Sequence, residues 1–167
     1  MPELPEVETI AVDLRDAHLV GLKIERACVY WERSVVHDTP ATFCQRIQSQ
    51  TIRKISRRGK YIVFTLDKET LFVHLRMTGK FHIEEEDLPP SSHERIRLYL
   101  SDKRILRYED QRKFGKWTLT SDPDVFMQHI GIEPLSDDFT LQSFQKLLEG
   151  KNRQIKPFYS IRIFWRV

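Results

Sequence analysis

The stretch TIRKISRRGKYIVFTLDKETLFVHL, residues 51–75, decides the fold. It holds three runs rich in β-branched and aromatic residues, 51–56, 60–66 and 70–75. Such side chains pack well on a pleated surface and predict strands. Asp67-Lys68-Glu69 separates the last two, and Gly59 permits a tight turn between the first two. Connections this short join antiparallel neighbours.

The same pattern extends both ways from this stretch. Upstream, Leu22, Ile24, Cys28 and Tyr30 largely alternate with polar residues. Downstream, 93–100, 103–108 and 115–119 are further strand candidates, with Ser101-Asp102 as a turn. Many short strands so spaced predict an antiparallel sandwich or barrel. Helices flank it. Val7, Ile10, Leu14 and Ala17 form an apolar stripe over 5–18, with Pro5 in the first turn and Glu6 and Glu8 where the helix dipole favours acids. Thr39-Pro40 and Asp122-Pro123 start two short helices, and Leu141, Phe144, Leu147 and Leu148 mark another. Residues 84–92 (EEEDLPPSS) read as a solvated loop, and 132–140 as a linker. The fold class is therefore mostly β with flanking helices.

Composition narrows the functional classes. With 167 residues and 40% apolar content, the chain can bury a core. Its net charge of +3 says little about partners. Cys28 and Cys44 are too few for a disulfide framework and lack metal-ligand spacing, so two reduced thiols are expected. No run approaches the ~20 apolar residues of a membrane span. MPELPEVE is the wrong chemistry for a signal peptide. A cytoplasmic protein with no membrane partner is the expectation.

Chemistry concentrates in a few places. Methionine ahead of Pro2 is normally removed, which would expose a secondary amine able to attack an aldehyde-like carbon. Its pKa lies well below that of a lysine, so more of it is neutral. The ordinary alternative is a protein that simply begins Met-Pro. Glu3 and Glu6 could move protons beside such an amine, or could be ordinary acids at a helix start. Arg53, Lys54, Arg57, Arg58 and Lys60 form one basic cluster; Lys103, Arg104, Arg107, Arg112, Lys113 and Lys116 form another. Either could hold phosphates or be a solvated face. Met77 and Phe114 sit in HLRMTG and DQRKFG; they are either core residues or wedges on exposed loops.

Taken together, MPELPEVET, RRGKYIVF, HLRMTGKF, RYEDQRKFGKW and GIEPLSDDF, in this order, resemble the formamidopyrimidine-DNA glycosylase/endonuclease VIII family, and its formamidopyrimidine branch more closely. The resemblance covers about residues 1–157. It implies a β-sandwich catalytic domain with the N-terminal helix at the active site. The family's C-terminal half carries a helix-two-turn-helix and a zinc finger. It implies Pro2 as nucleophile, Glu3 as acid/base, Glu6 as a supporting acid and Lys60 near the lesion phosphates. It implies DNA contacts by Arg57, Arg58, His74, Lys113 and Lys156. Met77, Arg112 and Phe114 would fill the gap left by a flipped nucleotide. The implied partner is double-stranded DNA containing oxidised bases, and the implied activity is excision of oxidised purines with strand cleavage at the abasic site. A monomer with no cofactor is expected.

The match is lost after Pro157, where the sequence runs FYSIRIFWRV. The expected organisation is a catalytic domain over 1–134, a linker and first helix over 135–157, and an aberrant tail over 158–167 left by a frameshift or premature stop. The zinc cysteines would then be missing. A non-catalytic DNA-binding remnant is the competing reading, and a β-sandwich interaction module a third.

Overall fold

The computed structural model describes residues 2–128, 130, 136, 137 and 139–149. Lys156, the tail over 158–167 and most of the expected linker lie outside the described residues. The chain divides into two compact units, Met1–Ser121 and Asp122–Val167.

The first unit is a sandwich of two sheets. Its strands are β1 (Ile24–Val29), β2 (Val35–Val36), β3 (Lys54–Arg58), β4 (Tyr61–Thr65), β5 (Thr70–His74), β6 (Gly79–Glu84), β7 (Glu94–Leu100), β8 (Ile105–Asp110) and β9 (Lys116–Thr120). One sheet has the order β1-β7-β8-β6 and the other β2-β9-β5-β4-β3. The hairpins expected in residues 51–75 form: Arg58 faces Tyr61 across the first turn, and Thr65 faces Thr70 across the second. Two strands escaped the sequence reading. β2 runs parallel to β9, the exception to an otherwise antiparallel sandwich. β6 pairs with β8, where the sequence suggested a turn running into a loop.

The core lies between the sheets. Phe81 of β6 and Tyr108 of β8 meet Trp117 of β9, with ring centroids 5.9 and 5.3 Å apart, and Phe64 of β4 packs edge-on to Phe81. Helix α2 (Pro40–Ile47), capped by the Thr39 hydroxyl accepting from the Thr42 amide, sends Phe43 against Trp117. Tilted and edge-to-face rings of this kind are the favoured arrangements.

Helix α1 (Leu4–Asp16) starts one residue earlier than expected and buries Val7, Ala11 and Leu14. It lies along β3. The Arg15 guanidinium donates to the Ile55 carbonyl at 3.1 Å, and Arg57 Nε meets Glu8 Oε2 at 3.0 Å. From Arg15 to Glu8 the helix therefore advances along β3 toward Arg57 and the Gly59 turn.

In the second unit, α3 (Pro123–Gln128) is started by Asp122, whose side chain accepts from the Val125 amide. Helix α4 (Leu141–Leu148) begins at Thr140, which exchanges hydrogen bonds with Ser143, and the Phe139 and Phe144 rings stack edge-on. Both helices begin where the sequence places them, while their expected closing residues Gly131 and Gly150 lie outside the described residues.

Candidate active site

The register of the five-stranded sheet gathers the candidate residues. Arg58 pairs with Tyr61, Tyr61 with His74, and His74 with Lys116. The Gly59-Lys60 turn, the loop after β5 and the loop before β9 thus open at one end of this sheet. The N-terminus of α1 rises toward the same end, carrying Pro2 and Glu3. Glu6 Oε2 accepts the Glu3 amide at 2.8 Å, which closes the first turn and fixes the backbone from which Glu3 projects. Glu3 and Glu6 are exposed and Pro2 half-buried, so reacting groups can reach them.

The two loops are corners where the chain changes sheets. Residues 75–78 lead from β5 to β6, and residues 111–115 lead from β8 to β9. They run side by side because both flanks are paired: His74 faces Lys116 in one sheet, and Gly79 faces Asp110 in the other. Each corner contains a non-glycine residue in left-handed backbone, Arg76 at φ 55° and Lys113 at φ 61°. That conformation costs roughly 1–2 kcal/mol and persists only where surroundings enforce it. Each strained residue comes just before the loop's apolar tip. Met77 is 45% exposed and Phe114 49%. The core alternative for these two residues is thereby excluded. Arg112 lies with its guanidinium 4.9 Å from the centroid of the Phe114 ring.

The cations divide sharply. Arg57, expected at DNA, has a side chain only 9% exposed, held by Glu8 and donating to the Gly59 carbonyl. Glu8 in turn has its carboxyl held below the usual range, first by Arg15 and then by Arg57, against the opposing effect of burial. Arg104 is tied to Asp102 and to the Ala17 carbonyl, and Arg107 to Glu84, Glu94 and Glu109. The second basic cluster is thus partly consumed inside the fold. Lys113 rests its ammonium 4.2 Å from the centroid of Trp31, and Lys116 donates to the Arg33 carbonyl. Arg58 and Lys60 are half-buried at the β3–β4 turn, and Arg112 is exposed.

His74 differs most from expectation. It is buried, packs edge-on against Tyr61 with centroids 4.8 Å apart, and accepts the Arg76 amide on Nδ1 at 3.0 Å. Burial pushes its pKa down to about 3, with the charges of Arg76 and Lys60 adding to the effect. It is a neutral ring that braces the Arg76 turn, with its proton on Nε2 because Nδ1 accepts.

The sequence reading overlooked what ties the corners together. The Asp110 carboxylate, fully buried, accepts from the Thr78 hydroxyl and from the amides of Arg112 and Gly115. The Tyr108 ring lies against Gly79 and Gly115, which have no room for a side chain beside its hydroxyl. The signal available was two glycines, each following an exposed tip by one or two residues.

Among the described residues, no group of three or more His, Cys, Asp and Glu side chains is placed to hold a metal ion. Among them too, no helix is long and apolar enough to cross a membrane.

Known proteins share this arrangement. The sequence profile of the formamidopyrimidine-DNA glycosylase N-terminal domain matches residues 1–117. A formamidopyrimidine-DNA glycosylase of Protochlamydia amoebophila is 41% identical over 157 residues, covering 93% of this chain and 57% of that protein. One from Escherichia coli O6:H1 is 37% identical over 160 residues, covering 95% and 58%. A crystal structure of Lactococcus lactis Fpg in complex with an oxidized-pyrimidine-containing DNA superposes with a TM-score of 0.82 at 36% identity, covering 94% of this chain and 60% of that one. A complex of the same protein with abasic-site DNA gives 0.81 at 35%, with the same coverage. The chain thus spans less than two thirds of the length of these relatives. With both sheets, the flanking helices and the profile in agreement, the chain belongs to the formamidopyrimidine-DNA glycosylase family and corresponds to its N-terminal domain.

Proposed function

We propose that this chain is the catalytic part of a bifunctional glycosylase and abasic-site lyase that removes oxidised purines, such as 8-oxoguanine and formamidopyrimidines, from double-stranded DNA. The observation that carries the reading is convergence. The N-terminus of α1, the Lys60 turn and two corner loops tipped by Met77 and Phe114 all open at one end of one sheet.

The chemistry follows from what each group can do. Reaching a base inside a duplex requires extruding it, which costs a few kcal/mol. Met77 and Phe114 offer apolar surface to the vacated stack, and Arg112 offers donors to the base left opposite. Lys60 and Arg58 attract the phosphates beside the lesion. The neutral Pro2 nitrogen bonds to C1′ while the glycosidic bond breaks, and the base leaves with that electron pair and a proton. Glu3 donates a proton to the ring oxygen as the C1′–O4′ bond opens, leaving an iminium. Loss of a C2′ proton expels the 3′ phosphate, and loss of a C4′ proton expels the 5′ phosphate. Water then hydrolyses the iminium and frees the amine. Glu6 holds the Glu3 backbone throughout.

Borohydride trapping tests this reading. The full chain, with its methionine removed, is incubated with abasic-site and 8-oxoguanine duplexes and reduced. A covalent adduct mapped to Pro2 is expected, and a chain with one extra residue ahead of Pro2 gives none. Glu3→Gln loses excision of 8-oxoguanine. A second reading is a non-catalytic protein that binds damaged DNA. Binding without any adduct decides for it.

A further inference from the structure

The wedge residues occupy separate loops, and a duplex gap has one width. If the loops moved independently, each would have to be ordered as it entered the DNA, and that ordering would subtract from affinity. In this molecule one carboxylate joins them. Asp110 ends β8 opposite Gly79 and is itself anchored: its amide donates to the His93 carbonyl at 2.9 Å, and its carbonyl accepts Arg95 Nε at 2.8 Å. Its Oδ1 accepts from the Thr78 hydroxyl, next to Met77, and from the Arg112 amide at 3.2 Å. Its Oδ2 accepts the Gly115 amide, next to Phe114, at 2.7 Å. The Arg112 amide also reaches the Thr78 oxygen at 3.1 Å, which links the loops directly. Hydrogen bonds to an ionised acceptor are about twice as strong as neutral ones, and burial keeps water from competing.

We propose that Asp110, with the Thr78 hydroxyl, is a positioning residue that fuses the Met77 and Arg112–Phe114 loops into one rigid head, preset to the width of a duplex vacancy. The inference rests on the reading that these tips enter DNA. Both acceptor oxygens are needed, because donors approach from the Thr78 side and from the Gly115 side at once. An amide in place of the carboxylate turns one of those oxygens into a donor that faces another donor. A carboxylate that merely held the fold would affect stability, yet it would leave untouched the ratio of affinities for two DNAs by a folded chain.

That ratio is the test. Fluorescence anisotropy measures binding of the full chain to a duplex with one tetrahydrofuran abasic analogue and to the intact duplex. Asp110→Asn and Thr78→Val are expected to lower the preference for the gapped duplex by at least about tenfold. Binding to intact duplex and the far-UV spectrum stay as in the wild type, and Thr78→Ser restores the preference. If Asp110→Asn fails to fold, the near-isosteric Thr78→Val carries the experiment. Undiminished preference in Thr78→Val, or a wild-type chain with no preference, overturns the inference. Borohydride trapping by the wild type, run alongside, reports on Pro2 separately: without an adduct the catalytic reading falls, and the binding ratio still decides the role of Asp110.

Discussion

Two regions of this chain are crowded with arginine, and they use it in opposite ways. On the outer face of the four-stranded sheet, Arg97 and Arg107 stand opposite each other on β7 and β8, with Glu94 between them. Asp87 reaches in from the 84–92 loop, and Glu84 and Glu109 close the edges. The Glu94 and Arg97 side chains are 0% and 2% exposed. At the corner, Arg112 projects from a loop whose backbone amides are taken by Asp110, so the guanidinium itself points outward. A local count of cations therefore does not identify a DNA-binding face. The two regions differ in where the carboxylates lie: side by side with the arginines on the sheet, beneath the backbone at the corner.

The largest expected effect breaks the sheet side of this comparison. Arg97 is held more firmly protonated than a free arginine, chiefly by its hydrogen bonds with Glu94. Glu94→Ala leaves two cations facing each other in a buried site. Breaking such a pair costs about 3–5 kcal/mol. Urea unfolding should show that loss, while the folded fraction keeps its preference for gapped over intact duplex. A change of preference in the folded chain would mean that the two regions are coupled.

Acid separates the regions next. His74, at the root of the corner, titrates at about 3 when folded and near 6.5 when unfolded. The unfolded chain then binds the extra proton, so the contribution of this group to stability is complete above pH 6.5 and is lost as pH falls toward 3. Glu109, on the sheet side, has a depressed pKa through the Ser91 hydroxyl and nearby cations. Its contribution is present above its unfolded value of 4.5 and is lost only below that. Between pH 6.5 and 4.5 His74 contributes a slope worth on the order of 2–3 kcal/mol. His74→Gln should flatten thermal stability against pH in that window and leave the steep fall below it.

Steric fit comes third. A Cβ on Gly115 would lie 1.7 Å from the Tyr108 hydroxyl oxygen and 2.9 Å from its Cζ. Gly115→Ala must displace either the ring or the loop, at about 1–3 kcal/mol. Among the described residues the Tyr108 hydroxyl has no hydrogen-bond partner, and burial pushes its pKa above the ordinary value. Tyr108→Phe alone should therefore leave stability level or raise it by up to about 1 kcal/mol. In the double variant it should recover part of the Gly115→Ala loss. Additive effects in that cycle would show that the phenol does not crowd the corner.

Much of this was legible in the sequence, for reasons specific to certain residues. Residues 51–75 gave their strands because alternation, β-branching and tight turns all agreed there. Thr39 and Asp122 marked helix starts through side chains that do cap. β6 was missed although Phe81 and Ile83 keep the two-residue period, because Gly79 and the acidic run after it read as breakers. β2 is two residues long and exists only through its pairing with β9. At the site, order along the chain marks Pro2, Met77 and Phe114 as candidates, but does not show which cations the fold consumes. Arg57 and Arg107 look like phosphate binders until Glu8 and Glu94, 49 and 13 residues away, are seen to hold them. Asp110 was unreadable for the same reason, since its partner Thr78 lies 32 residues earlier.

The smallest effect distinguishes two lysines. Lys60 sits on the turn that faces the proposed lesion, whereas Lys113 has its ammonium over the Trp31 ring. A cation engaged with an aromatic face releases no counterion when DNA binds, while one that meets a phosphate does. Lys60→Met should lower the slope of log K against log salt by about one unit and leave stability nearly unchanged. Lys113→Met should leave the slope alone and cost about 0.5–1 kcal/mol in urea unfolding. Equal slope changes for the two would mean that Lys113 leaves Trp31 when DNA arrives, and that the corner has a movable cation after all.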